Sequence, residues 1–145
     1  MLRRANITEG PTALKGSCLC GAVRYEIDRL DTPIGYCHCT TCRKAHAAAS
    51  APTARVTREH FHLIAGREKL SAFESSHGRV RRFCSVCGTH IVAERGDQPH
   101  VVLRVATLDD DPGVKPIVHI WTSHDVPWLA EDEHLPRFPE WPPAR

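Results

Sequence analysis

Seven cysteines in three tight groups constrain this 145-residue chain more than any other feature. They read Cys18-Leu19-Cys20, Cys37-His38-Cys39-Thr40-Thr41-Cys42 and Cys84-Ser85-Val86-Cys87. Scattered core cysteines would not collect into C-x-C, C-x-C-x-x-C and C-x-x-C groups, and an odd number cannot complete an intrachain disulfide framework. The start, Met1-Leu2-Arg3-Arg4, has no apolar region behind its two arginines and so does not read as a secretory signal. The expected location is therefore the cytoplasm, where thiols stay reduced. Metal binding is the natural reading, with zinc favoured by thiolate-rich ligation and iron its main rival.

A closed tetrahedral zinc takes four ligands, whereas a catalytic zinc takes three from the protein and keeps one position open. Seven sulfurs divide as four plus three. Cys20-Gly21 and Cys87-Gly88 each end in glycine, which lets the chain adopt positive φ and turn backbone N–H groups towards sulfur. Cys42 is followed by Arg43 instead. The structural set is thus expected to be Cys18, Cys20, Cys84 and Cys87, closing a loop across 63 residues between Cys20 and Cys84. Cys37, Cys39 and Cys42 remain as an incomplete site whose metal is expected to be labile or absent. Arg81 and Arg82 would offset the charge of the first set, and Arg43 and Lys44 that of the second. Two alternatives stay open for the three cysteines: closure by His38 or His46, or metal-free redox thiols. His38 and His46 are also candidate proton shuttles. Ser123-His124-Asp125 carries triad residue types, but adjacency does not supply triad geometry.

Hydrophobic residues at 41% and charged residues at 25% argue against disorder, and no run approaches the roughly 18 apolar residues of a membrane span. A net charge of +2, with no basic-aromatic stripe, argues against a nucleic-acid partner. Short strands are expected at 23–27, 61–64, 70–73, 80–83, 89–93, 100–105 and 117–121, with a turn at 109–113 and one helix-like stretch at 40–50. Strands every ten or so residues predict an antiparallel all-β domain over 1–145, its core about 14–130. The segment 127–145 is Pro- and Trp-rich. Trp128, Phe138 and Trp141 suggest that it packs across the domain surface.

Three stretches together carry a resemblance. Gly16-Ser17-Cys18-Leu19-Cys20-Gly21-Ala22-Val23, Cys37 to Lys44, and Phe83-Cys84-Ser85-Val86-Cys87-Gly88-Thr89 resemble the glutathione-dependent formaldehyde-activating family, also called the centromere-protein-V/GFA domain. Ile120-Trp121 and Pro127-Trp128 also suit its C-terminal segment. The resemblance implies an Mss4-like, β-tent arrangement of antiparallel sheets around two zinc sites, mapping onto the same four and three cysteines, with the site of Cys37, Cys39 and Cys42 catalytic. It further implies a zinc-dependent carbon–sulfur lyase acting on adducts of glutathione, or a similar thiol, with formaldehyde or another small aldehyde. The alternative is a non-catalytic, zinc-stabilised protein-interaction module. His46 departs from the pattern, standing where many relatives carry a small residue.

Overall fold

Alternation along the strands decides which side chains meet the core and which face away from it. The structure, a computed structural model, describes residues 13–130 and 134–144. Among these residues, ten strands and one α-helix run in the order β1 (Leu14–Ser17), β2 (Arg24–Ile27), β3 (Gly35–Cys37), α1 (Thr40–His46), β4 (Ala51–Thr57), β5 (Phe61–Ala65), β6 (Leu70–Ser76), β7 (Arg79–Cys84), β8 (His90–Arg95), β9 (His100–Arg104) and β10 (Val118–Ile120). They form a three-stranded sheet, β1-β2-β5, and a seven-stranded sheet, β10-β3-β4-β9-β8-β7-β6. The fold is all-β. Every strand pair is antiparallel except β10 with β3, which is parallel.

The main core gathers Val23, Tyr25 and Ile27 with Val56, Ile91, Val92, Val101 and Leu103, and it also contains Cys18 and Cys84. Side chains two apart share a face and neighbours oppose. On β4 and β9, Val56, Val101 and Leu103 face this core. Arg55, Val102 and Arg104 are therefore turned to the other side. Arg81 and Cys84 on β7, three residues apart, are both buried, on opposite faces. Ala93 pairs with Arg81 on one side and Val102 on the other, and its methyl group leaves room on the arginine face. Cys37, Cys42 and Ala51 form a separate small cluster away from the main core.

The expected strands at 23–27, 61–64, 70–73, 80–83, 89–93, 100–105 and 117–121 all have counterparts, while β1, β3 and β4 are additional. β4 was hidden by its Ala-Pro start. Pro52 is tolerated because it pairs only with β3, through Tyr36, at a level where β9 pairing has not begun. The helix is shorter than the 40–50 stretch. Ala47 takes a left-handed conformation (φ 49°) that stops it, and Ala51 is drawn into register with Cys37. The aromatic residues of the C-terminal segment do not pack as expected: Trp128 is 76% and Trp141 92% exposed. Among the described residues no helix is long and apolar enough to cross a membrane.

Asp31 anchors the loop after β2. It accepts the Thr57 amide at 2.7 Å, His60 Nδ1 at 2.8 Å and Arg29 Nε at 3.0 Å. Burial pushes its carboxyl up, but these donors win and hold it well below the usual carboxylate range. Such a group stabilises the fold above its unfolded value of about 4 and loses that stabilisation as pH falls through the depressed value. Asp31→Asn is expected to cost about 1 kcal/mol at neutral pH. Its deficit against the wild type should narrow as pH falls below about 4, where the unfolded carboxyl takes up its proton, and close only below the depressed folded value. Urea unfolding at several pH values measures this, and a constant deficit would refute it.

Candidate metal centres and the cavity beside them

The two glycines expected to shape the first pair of turns do so: Gly21 and Gly88 both have φ +79°. Cys18 sits at the end of the β1 side of one turn, and Cys84 closes β7 at the other. The Sγ atoms of Cys18, Cys20, Cys84 and Cys87 all lie within 4.8 Å of one another. Cys18 and Cys20 are 3.6 Å apart, and Cys20 and Cys84 3.8 Å. A tetrahedron with zinc–sulfur bonds of about 2.3 Å has edges of about 3.8 Å, so the donor set fits that ion. The Val23 amide donates to Cys18 Sγ at 3.2 Å. Hydrogen bonds from the Thr89 side chain and amide, and from the Cys20 amide, hold the Cys87 thiol down to about 5.

Cys37, Cys39 and Cys42 form the second group, again with sulfurs within 4.8 Å. No histidine joins it among the described residues. Cys37 ends β3. Cys39 caps α1, its Sγ accepting the Cys42 amide at 3.3 Å, so the helix start does here what glycine does in the other group. The hydrogen bond from Cys37 and the charge of Arg104 outweigh burial and hold the Cys42 thiol down to about 4. The same bond, with burial, pushes Cys37 up.

These three cysteines line a 660 Å³ cavity, and none of the other four does. Its wall also carries Arg55, Arg79, Arg81, Arg104 and His124, and among the described residues no Asp or Glu. The charges expected near each group are placed differently. Arg81 donates to Cys42 Sγ at 3.8 Å rather than serving the four-cysteine group, because alternation turns it away from Cys84. Arg82 pairs with Glu94 at 3.1 Å. Arg43 borders a neighbouring recess instead of the cavity, and Lys44 does not line it either. Sequence reading did not single out Arg55, Arg79 or Arg104. The strand period, once β4 and β9 are placed beside β8, puts them on one face.

The histidines also separate. His38 lies between two inward cysteines and so projects to the recess, where Nδ1 meets Asp125 Oδ1 at 2.7 Å and Nε2 meets His119 Nδ1 at 2.8 Å. Asp125 thus serves His38, and Ser123-His124-Asp125 is no triad. His124 Nδ1 accepts the Thr40 amide at 3.1 Å. His46 is stacked edge-on against His90 at 4.9 Å. Burial, then Arg104, His90 and Arg81, lowers its pKa to about 4, so it is neutral at pH 7.

Residues 13–124 match the family described as glutathione-dependent formaldehyde-activating enzyme, GFA. The chain belongs to the GFA family. A crystal structure of a Rhodobacter sphaeroides protein has the same fold, with a TM-score of 0.60 and 24% identity over 73% of this chain and 99% of that one. No curated protein matches the sequence. The GFA chain therefore presents two cysteine groups able to hold metal ions, one merged with the core and one bordering a cavity.

Cys87→Ser is expected to lower metal content by one equivalent and to lower the melting temperature sharply, since binding and folding are coupled there. Cys39→Ser should also lose one equivalent, with little change in melting. Elemental analysis and thermal melts together check both, and equal destabilisation by the two substitutions would refute the division.

Proposed function

We propose that this GFA-family chain is a zinc-dependent enzyme that makes and breaks the carbon–sulfur bond of thiol–aldehyde adducts, a carbon–sulfur lyase-type reaction. The thiol is glutathione or a similar one, and the aldehyde is formaldehyde or another small one. The observation that carries this reading is the position of Cys37, Cys39 and Cys42 on the cavity wall, with no fourth ligand among the described residues. In this reading Cys18, Cys20, Cys84 and Cys87 hold a structural zinc, and Cys37, Cys39 and Cys42 hold the catalytic one. A zinc held by those three thiolates would leave a position for a soft fourth donor and would favour the thiolate form of a bound thiol near neutral pH.

The chain's own residues supply the rest. In the addition direction a sulfur electron pair forms the C–S bond, and the carbonyl π pair moves to oxygen. His124 can meet that oxygen. Its Nδ1 accepts the Thr40 amide, which leaves Nε2–H as a donor for the developing charge. The thiol's own proton passes to solvent as the thiolate forms, and solvent returns one to complete the hydroxyl. Cleavage runs the same path backwards: the hydroxyl proton leaves to water, the C–S pair returns to sulfur and the aldehyde is released. Arg81, held by Ser75 Oγ at 3.0 Å, adds its hydrogen bond to that of Cys37 and to the charge of Arg104, which favour the Cys42 thiolate.

Turnover is followed by NMR as loss of the hydroxymethyl adduct of a thiol. Cys39→Ser should abolish it, and His124→Gln should lower kcat by about 10²-fold, the scale for losing one oxyanion donor. Full turnover in Cys39→Ser would sink the reading.

A further inference from the structure

Four arginines converge on the cavity, and their charge exceeds what the cysteines require. Arg81 and Arg104 are only 5% and 6% exposed. Arg81 Nη1 and Arg104 Nε are buried without a hydrogen-bond partner. Among the described residues none of Arg55, Arg79, Arg81 and Arg104 makes an ion pair with a carboxylate. A guanidinium never loses its charge in a protein, and an unpaired buried one is costly. Three thiolates with a zinc dication would sum to −1, leaving about three positive charges uncompensated. Both buried arginines border the cavity together with Arg79, and a planar guanidinium fork suits a carboxylate.

We propose that Arg79, Arg81 and Arg104 form an anion subsite that takes the carboxylates of a short mercapto acid, a thiol whose acidic groups lie within two or three bonds of its sulfur. The distance argues for a short ligand. Arg81 Nη2 is 3.8 Å from Cys42 Sγ, so a sulfur joining the three cysteines brings a carboxylate on its α or β carbon directly to this guanidinium. Arg104 flanks the same thiol, and Arg79 follows on the same face of β7. The proposal deepens the functional reading and rests on it for the role of sulfur, but the carboxylate contact stands separately.

Calorimetric titration of the zinc-loaded full chain tests it, with succinate, mercaptosuccinate, 2-mercaptoethanol and glutathione as probes. Mercaptosuccinate is expected to bind at least tenfold more tightly than 2-mercaptoethanol, about what one charge-assisted pair supplies. It should also bind more tightly than glutathione, whose carboxylates lie farther from sulfur. Succinate, which has no thiol, should bind too, and both di-acids should weaken with salt. Arg79→Gln, at a partly exposed position, should weaken both di-acids about tenfold while leaving 2-mercaptoethanol unchanged; Arg104→Gln should do the same where it folds. Equal affinity for all thiols, no succinate binding, or glutathione binding as tightly as mercaptosuccinate would overturn the proposal. Succinate binding lost in Arg79→Gln, in a protein that turns over no adduct, would instead sink the enzymatic reading and leave the subsite standing.

Discussion

The rest of the structure depends on the contact between two turns, one carrying Cys18 and Cys20 and the other Cys84 and Cys87. Cys18 and Cys84 are core residues as much as they are thiols, packed with Val23, Tyr25 and Leu103 between the two sheets. The Leu19 amide donates to Thr89 Oγ1 at 3.1 Å, so the turns also meet through a direct hydrogen bond. Four sulfurs at tetrahedral spacing resist burial as anions unless a cation joins them. Tying positions so far apart removes loop entropy, a cost that grows only slowly with loop length. The three-stranded sheet is therefore held onto the seven-stranded one at the point where the sequence invests its most oxidisable residues.

The opposite face of the large sheet shows a different economy. A fold selected for stability alone would put apolar side chains at Arg81 and Arg104, since buried ion groups without partners are destabilising. Here they sit beside three thiols that form only a minor cluster with Ala51. Unpaired donors and a roomy cavity at one place are what a protein keeps where function outweighs stability. The four-cysteine group, by contrast, has amide and hydroxyl donors aimed at its sulfurs, and none of its cysteines lines that cavity.

Much of this was legible in the sequence because cysteine spacing and glycine placement are local signals. The four-plus-three grouping of the sulfurs, the positive φ of Gly21 and Gly88, and seven of ten strands follow from short windows. What stayed hidden is non-local. Arg55, Arg79 and Arg104 are ordinary surface-type residues until sheet order places their strands together. Arg81 looked like a neighbour of Cys84 because it is three residues away, yet an odd separation on a strand means the opposite face. The same rule separates His38 from Cys37 and Cys39. β4 was obscured by alanines and a proline. The tail misled in the other direction: its tryptophans suggested packing that Trp128 and Trp141 do not make.

β7 links the two cysteine groups. It delivers Cys84 to one and Arg81 to the other across a single strand, so neither group can shift along the sheet without the other. Arg81 is further fixed by Ser75 on β6, its antiparallel neighbour, which leaves its guanidinium little rotamer freedom to lose when an anion arrives. Positioning of this kind is most effective when the supporting strand is itself rigid. The closed group supplies that rigidity at the end of β7, where Cys84 pairs with Leu70 on β6 and its amide bonds the Thr89 carbonyl at 2.9 Å. Stability and chemistry are thus divided between the two faces of one strand, and the core-side cysteines act on the cavity through the register they impose.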